Sequence, residues 1–269
     1  MSDVTREGAE AADAVGAGPL VLLHGFPFDA SMWDDVVELL GERDVPTLAA
    51  DAPGFGASDV PDGEPSLDVA ADALLAVLDD LGLDRVVLAG LSMGGYIAMA
   101  FAARHGSRLA GLALLDTKAG TDTEAALANR YRVAEAAERG EGAEAVAGMI
   151  DVLLGETTRA NEPDVVERHR SWLAEAPDAG IAWGQLAMAA RPSRFEVLED
   201  LEVPALVVRG SEDALSTQAD AEAMVHALLA HDGDAELVVI PGAGHMTATE
   251  DPEAVADALE TFWHRCTGT

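Results

Sequence analysis

The chain has 269 residues, of which 49% are hydrophobic and 24% are charged. This composition is typical of a folded protein with one large domain or two small ones, and it excludes a disordered or fibrous chain. Lysine and arginine together number 16 against 49 aspartates and glutamates, so the formal net charge is −33. Because such a surface repels phosphates and anionic lipid headgroups, we expect neither nucleic acid nor a membrane as a partner.

Cys266 is the only cysteine, so no disulfide within the chain and no cysteine-based zinc site can form. Residues 1–18 include acidic side chains and no apolar segment, which indicates a flexible N-terminal lead rather than a secretory signal. Residues 86–103 carry no charge, but four of them are Gly or Ser breakers, so we interpret the segment as strand, turn and buried helix. Together these features predict a cytoplasmic protein.

Short apolar runs alternate with segments of helical periodicity along the chain. This alternation predicts βαβ units and a parallel sheet with helices on both faces. A helix is predicted to begin after Ser66 and to end at Gly82, and the last helix begins near Pro252. The predicted strands are Leu20–Leu23, Thr47–Ala50, Val86–Ala89, Leu112–Leu115, Ala205–Val208 and Glu236–Ile240.

The alternation stops in residues 119–195, where alanine and glutamate are frequent and no strand-like run occurs. We predict that this segment forms a helical lid inserted between two strands of a core built from residues 19–118 and 196–265. Ligands of open α/β sheets bind at the carboxyl ends of the strands, and the lid is expected to lie there.

The sharpest chemical signal is Gly90-Leu91-Ser92-Met93-Gly94, a G-x-S-x-G pattern between a predicted strand and a predicted helix. Small neighbours allow the backbone to reverse tightly and leave the serine hydroxyl exposed. The N–H groups at the start of the following helix favour negative charge near the reacting centre. This context predicts that Ser92 is a nucleophile.

A nucleophilic serine needs a base, and the base needs an orienting acid. His245 follows the last predicted strand in the loop Pro241-Gly242-Ala243-Gly244-His245 and is the predicted base. Asp213 follows the preceding strand and is the predicted acid, whereas the adjacent Glu212 is expected to be solvated. Asp116 also follows a strand, and it stays open as an alternative acid.

The loop His24-Gly25-Phe26-Pro27 follows the first strand. We predict that the backbone N–H groups of Phe26 and Met93 form an oxyanion hole. His24 is interpreted as a structural residue that holds this loop. Residues 51–58 are rich in glycine but lack a phosphate-binding pattern, so they are interpreted as a turn.

These motifs fall in the order found in the α/β-hydrolase superfamily, which the chain resembles over residues 20–263. The motifs are HGFP at 24–27, DAPGFGAS at 51–58, GLSMGG at 90–95, GSED at 210–213 and PGAGH at 241–245. Within the superfamily, HGFPFDASMW, GLSMGGYIAMAFA and LLDTKAGTDT are similar to segments of small esterases and 3-oxoadipate enol-lactonases. The resemblance implies an eight-stranded, mostly parallel sheet with a helical lid.

The activity implied by the resemblance is hydrolysis of small, mainly hydrophobic carboxylic esters or lactones through an acyl-enzyme. Ser92 would attack the carbonyl, His245 would take its proton, and Asp213 would orient the imidazole. No metal or organic cofactor is needed, and the chain would act as a monomer or a homodimer. A cofactor-free perhydrolase, a carbon–carbon bond hydrolase and a non-catalytic ligand receptor remain alternatives on the same fold.

The substrate pocket is the least specified part of the prediction. Candidate lining residues are Phe28, Trp172, Trp183 and Met188, although each of them can equally pack the lid onto the sheet. The negative net charge disfavours highly anionic substrates unless lid arginines compensate for it. The arginines considered for this role are Arg130, Arg132 and Arg191.

Overall fold

The computed structural model describes residues 18–269, so the predicted lead lies almost entirely outside the described residues. A parallel six-stranded sheet forms the core, in the order β2-β1-β3-β4-β5-β6. The strands are β1 (Leu20–Leu23), β2 (Thr47–Ala50), β3 (Val86–Leu91), β4 (Leu109–Leu115), β5 (Ala205–Gly210) and β6 (Ala235–Ile240).

All six predicted strands are present, and β1 and β2 match the prediction residue for residue. Every residue of β1, β3, β4 and β5 is buried, which explains why these runs are apolar throughout instead of alternating. The edge strands β2 and β6 are only partly buried. Within residues 18–269 the sheet has six strands, and the eight implied by the resemblance are not found there.

Helices cover both faces of the sheet and form the segment between β4 and β5. The helices of the core are α1 (Asp34–Glu42), α2 (Leu67–Asp80), α3 (Met93–His105), α11 (Gln218–Leu228), α12 (Thr247–Glu250) and α13 (Pro252–Thr267). Between β4 and β5 lie α4 (Glu124–Glu138), α5 (Gly142–Val146), α6 (Ile150–Leu153), α7 (Glu156–Asn161), α8 (Pro163–Glu175), α9 (Asp178–Ala189) and α10 (Phe195–Glu199).

The predicted helix boundaries have identifiable physical causes. The Ser66 side chain accepts a hydrogen bond from the Asp68 N–H and caps the start of α2. Gly82, with a φ of +71°, follows the end of that helix. Pro252 occupies the first turn of α13, where its missing N–H costs nothing.

The uncharged stretch at residues 86–103 forms β3, a one-residue turn at Ser92 and most of α3, as predicted. The first nine residues of α3 are all buried, because the helix packs between the sheet and its neighbours. In the part of the chain that the structure describes, no helix combines the length and apolar character needed to cross a membrane.

Candidate active site

Ser92 lies on the tight turn between β3 and α3, with φ +54° and ψ −110°. L-residues rarely adopt such a positive φ, so the turn is strained and projects the side chain away from the sheet. A β-carbon at Gly94 would lie 2.2 Å from the Leu23 carbonyl oxygen, and one at Gly90 would lie 2.2 Å from the Gly94 carbonyl oxygen. Both glycines of the G-x-S-x-G pattern are therefore required by close backbone contacts.

His245 follows β6 and reaches the serine. Its Nε2 lies 2.8 Å from the Ser92 Oγ. The His245 backbone N–H donates to the Leu153 carbonyl at 2.9 Å, and a β-carbon at Gly244 would lie 2.2 Å from the Gly155 nitrogen. The histidine loop is thus held directly against the backbone of the predicted lid.

Asp213 holds the other side of the imidazole. The His245 Nδ1 lies 3.0 Å from each carboxylate oxygen of Asp213. The same carboxylate accepts hydrogen bonds from the backbone N–H groups of Leu215 at 2.7 Å and Ser216 at 3.0 Å, and from the Ser216 hydroxyl. These donors fix the carboxylate in an orientation that serves the histidine.

The charges of this pair shift each other's ionisation. Burial by itself lowers the pKa of His245, but the negative charge and hydrogen bond of Asp213 outweigh it and raise the pKa above its ordinary value. Burial alone raises the pKa of Asp213, but His245 and the Ser216 hydroxyl outweigh it, so the net shift is downward. The imidazole is thereby prepared to accept a proton beside a carboxylate that stays ionised.

Asp116, the alternative acid, does not bond to the histidine. Its Oδ1 accepts a hydrogen bond from the Gly210 N–H at 2.9 Å, and its Oδ2 accepts from the backbone and the hydroxyl of Thr247. Burial, followed by the charge of Asp213, raises the pKa of Asp116 to about 8. Asp116 therefore holds together the loops that carry Asp213 and His245.

Glu212, expected to be solvated, is only partly buried and points toward residue 157. Its carboxylate accepts hydrogen bonds from the backbone N–H of Thr157 at 2.8 Å and from the Thr157 hydroxyl at 2.6 Å. These bonds lower the pKa of Glu212. The residue joins the β5 loop to α7 and is separate from the Ser92–His245–Asp213 chain.

Two backbone donors stand free beside the serine. Within residues 18–269, the N–H groups of Phe26 and Met93 have no hydrogen-bond acceptor in the protein. Met93 directly follows Ser92 at the start of α3, and Phe26 lines the same cavity as Ser92. Free N–H groups in this position are what a developing oxyanion requires.

His24 holds the loop that carries Phe26. Its Nδ1 bonds to the Gly25 carbonyl at 3.0 Å, and its Nε2 accepts from the Ala52 N–H at 2.9 Å. The ring is fully buried and packs edge-on to Phe55, and burial lowers its pKa. A neutral, doubly bonded imidazole of this kind acts as a scaffold for the loop.

Ser92 and His245 open into a cavity of about 440 Å³ between the sheet and the helices that follow β4. Its lining includes apolar and polar side chains, among them Phe26, Tyr96, Val133, Leu153, Gln185 and Met188. A space of this size accommodates a small organic substrate.

Of the four residues predicted to line the pocket, Met188 lies in the cavity wall and the others do not. Phe28 and Trp172 pack against each other, with ring centroids 5.6 Å apart, and both contact the buried His169 ring. Trp183 is buried among core residues. The prediction for these three is wrong because Phe28 and Trp172 pack between the loop after β1 and α8, and Trp183 belongs to the core.

Four charged residues in the cavity wall were not predicted to act as a group: Lys118, Asp122, Arg130 and Arg132. Asp122 pairs with Arg130 and, at 2.7 Å, with Arg191. Burial alone raises the pKa of Asp122, but the two arginines outweigh it and hold the pKa well below its usual range. Lys118 could have been singled out from the sequence, because it is the only lysine and lies three residues beyond the end of β4.

No three His, Cys, Asp or Glu side chains among the described residues come together in an arrangement suited to a metal ion. The polar groups at the centre of the site are instead a hydroxyl, an imidazole, a carboxylate and two free N–H groups. This set matches nucleophilic acyl chemistry.

A model described as the alpha/beta hydrolase family matches residues 20–258. The chain belongs to the α/β-hydrolase family. Among solved structures, a thermophilic esterase from Thermogutta terrifontis with malate bound has a TM-score of 0.87 and 40% identity, covering 94% of this chain and 92% of that one.

Two further proteins match this chain with lower identity. The enol-lactonase from Burkholderia xenovorans LB400 has a TM-score of 0.81 and 28% identity, covering 92% of each chain. A dihydrolipoyllysine-residue acetyltransferase component of an acetoin cleaving system from Pseudomonas putida is 32% identical over 254 residues. The match covers 92% of this chain and 64% of that relative, so the present chain corresponds to part of it.

Proposed function

We propose that this α/β hydrolase cleaves carboxylic esters or lactones, with Ser92 as nucleophile, His245 as base and Asp213 as orienting acid. The observation that carries the proposal is the continuous hydrogen-bonded chain from Ser92 Oγ through the His245 ring to Asp213, at 2.8 Å and 3.0 Å. The chain of bonds begins in a cavity large enough for substrate. The esterase and the enol-lactonase described above support the reaction class.

The first step is acylation. Ser92 Oγ attacks the substrate carbonyl carbon while His245 Nε2 takes the hydroxyl proton. The carbonyl oxygen becomes an oxyanion and accepts hydrogen bonds from the Phe26 and Met93 N–H groups. His245 then gives its proton to the leaving alcohol oxygen as the carbon–oxygen bond breaks.

The second step is hydrolysis of the acyl-enzyme. His245 takes a proton from water, the resulting hydroxide attacks the acyl carbon, and a second tetrahedral oxyanion forms against the same N–H groups. Collapse of this intermediate returns the proton to Ser92 and releases the acid. Throughout both steps Asp213 keeps Nδ1 protonated and stabilises the imidazolium.

The test compares wild type, Ser92→Ala and Ser171→Ala on short p-nitrophenyl esters and on a panel of small lactones. Ser171 lies on the exposed face of α8 and gives a matched serine-to-alanine control. We expect Ser92→Ala to lose a factor on the order of 10⁴ to 10⁶ in kcat, and Ser171→Ala to keep wild-type rates. Equal turnover by Ser92→Ala and wild type would refute the nucleophile.

Perhydrolysis and carbon–carbon bond hydrolysis would use the same three residues, so the choice among them depends on substrate. Peroxyacid formation from acetate and hydrogen peroxide, or cleavage of a dienoic diketone, would have to exceed ester turnover to displace the proposal. Saturable ligand binding without turnover would favour a receptor. The chain-length profile of the ester series measures the acyl portion that the cavity accepts.

A further inference from the structure

The cavity beside Ser92 contains positive charge that the rest of the molecule does not neutralise. Lys118, Arg130 and Arg132 line it, in a chain whose formal net charge is −33. Because acids outnumber bases 49 to 16 in this sequence, a cationic side chain finds a carboxylate partner easily. A cation left without one in a concave site is therefore informative.

Arg130 is neutralised within the protein. Its guanidinium pairs with Asp122 and also donates to the Gln185 side-chain oxygen at 3.1 Å. Arg191 binds both carboxylate oxygens of Asp122, at 2.7 Å each, and stacks over the Tyr96 ring at 4.2 Å. Of this ion-paired group, Asp122 and Arg130 line the cavity.

Lys118 and Arg132 have no such partner. No carboxylate of the described residues lies within 4.0 Å of either charged group. Lys118 is partly buried, whereas Arg132 is exposed and donates two hydrogen bonds to the Asn129 side-chain oxygen, at 2.9 Å and 3.2 Å, which leave its charge without a counterion. Every other lysine or arginine in residues 18–269 pairs with a carboxylate or donates to a backbone carbonyl.

The two residues come from different parts of the chain. Lys118 lies just beyond the carboxyl end of β4, on the same sheet edge as Ser92, and Arg132 lies on α4. Both side chains border the cavity that contains the Ser92 hydroxyl. An anion bound there would be attracted from the sheet side and from the α4 side at once.

We propose that Lys118 and Arg132 form an anion subsite, so that the enzyme prefers esters or lactones that carry a free carboxylate in addition to the bond that is cleaved. The proposal rests on the ester or lactone hydrolysis assigned above. It replaces the expectation of mainly hydrophobic substrates with monoesters of dicarboxylic acids and carboxylated lactones.

The test compares kcat/KM for monomethyl glutarate and for methyl pentanoate at pH 8, with the released acid measured by chromatography. The two esters have similar lengths and differ in the terminal carboxylate. We expect wild type to prefer monomethyl glutarate by about tenfold, since the partly buried Lys118 and the exposed Arg132 would both attract the terminal carboxylate. Adding 1 M sodium chloride should reduce this preference, because the Debye length falls to about 3 Å.

The variants are Lys118→Met, Arg132→Gln and the double variant, with Lys118→Arg as the conservative replacement. The ratio of the two kcat/KM values is the readout, because it is independent of the concentration of folded enzyme. We expect each neutral substitution to lower the ratio and the double variant to bring it near one, whereas Lys118→Arg keeps it. Arg139→Gln, at an exposed arginine paired with Glu141, is the matched control and should leave the ratio unchanged.

The two proposals fail in different ways. Hydrolysis that depends on Ser92 but shows a ratio near one in wild type would overturn the anion subsite and leave the hydrolase assignment intact. A high wild-type ratio that survives the double variant would also overturn the subsite. Turnover of either ester that persists in Ser92→Ala would refute the proposed nucleophile instead.

Discussion

The side chain of Asp116 accepts hydrogen bonds from both the backbone N–H and the hydroxyl of Thr247, two residues after His245. Its other oxygen accepts from the Gly210 N–H, at the end of the strand that leads to Asp213. A second buried acid thus supports the pair that contacts the serine, without itself contacting the imidazole. Asp116 acts on the site by positioning the two loops.

Substitutions of Asp116 should therefore lower the free energy of unfolding, and the loss should be larger when fewer of these hydrogen bonds remain. Asp116→Ala leaves the buried N–H groups of Gly210 and Thr247 without an acceptor and places alanine at a φ of +46°. We expect it to lower the free energy of unfolding by about 2–5 kcal/mol. Asp116→Asn keeps an acceptor and tolerates that φ, so its loss should be smaller. Urea denaturation of both variants measures the difference, and equal losses would contradict the positioning role.

The raised pKa of Asp116 predicts a pH dependence of stability. Because the folded-state pKa is about 8 and the ordinary value is 3.8, the folded protein holds a proton that the unfolded chain releases between these values. The free energy of unfolding of wild type relative to Asp116→Asn should fall as the pH rises from 4 to 8 and level off above 8. A difference that is constant over this range would show that Asp116 ionises normally.

Catalytic activity should increase with pH as His245 loses its proton, whereas the contribution of Asp116 to stability should decrease with pH. The base must be neutral, and Asp213 holds its pKa above the ordinary value of 6.5, so kcat/KM should rise with pH through a midpoint above 6.5. In Asp213→Asn the attraction is lost, which should lower the midpoint and reduce kcat by a factor on the order of 10⁴. A wild-type midpoint below 6.5, determined from a full pH–rate profile, would contradict this assignment.

The glycines around Ser92 allow a test of the turn itself. A β-carbon at Gly94 would meet the Leu23 carbonyl oxygen at 2.2 Å, and backbone on both sides cannot move aside cheaply. Gly94→Ala should lower the free energy of unfolding by at least about 3 kcal/mol and abolish activity. Gly106 has open space around its α-carbon and an αR backbone, so Gly106→Ala should be neutral or stabilise by about 0.4–1 kcal/mol. Thermal denaturation separates the two outcomes.

Features encoded in a few consecutive residues were predictable from the sequence. The strand β1 and the turn at Ser92 depend on local apolar runs and on glycine, and chain order then indicated His245 and Asp213. The charged wall formed by Asp122, Arg130 and Arg191 was not predictable, since it depends on how α4 and α9 pack against each other.

The aromatic residues of the pocket prediction illustrate the same limit. Phe28 and Trp172 are far apart in sequence, so their contact is not visible there. Residue type alone does not distinguish an apolar side chain that lines a cavity from one that packs in a core. Only their packing on the buried His169 shows that they belong to the contact between lid and sheet. Met188, which does line the cavity, could not be distinguished from them by the sequence alone.

The hydrogen bond from the His245 N–H to the Leu153 carbonyl connects the proposed base to α6, which lines the cavity. The backbones of Gly244 and Gly155 are in direct contact at the same point, so no flexible side chain separates the two segments. Opening this contact would remove the hydrogen bond that holds the His245 backbone in place, so substitutions in α6 are expected to change turnover as well as substrate affinity.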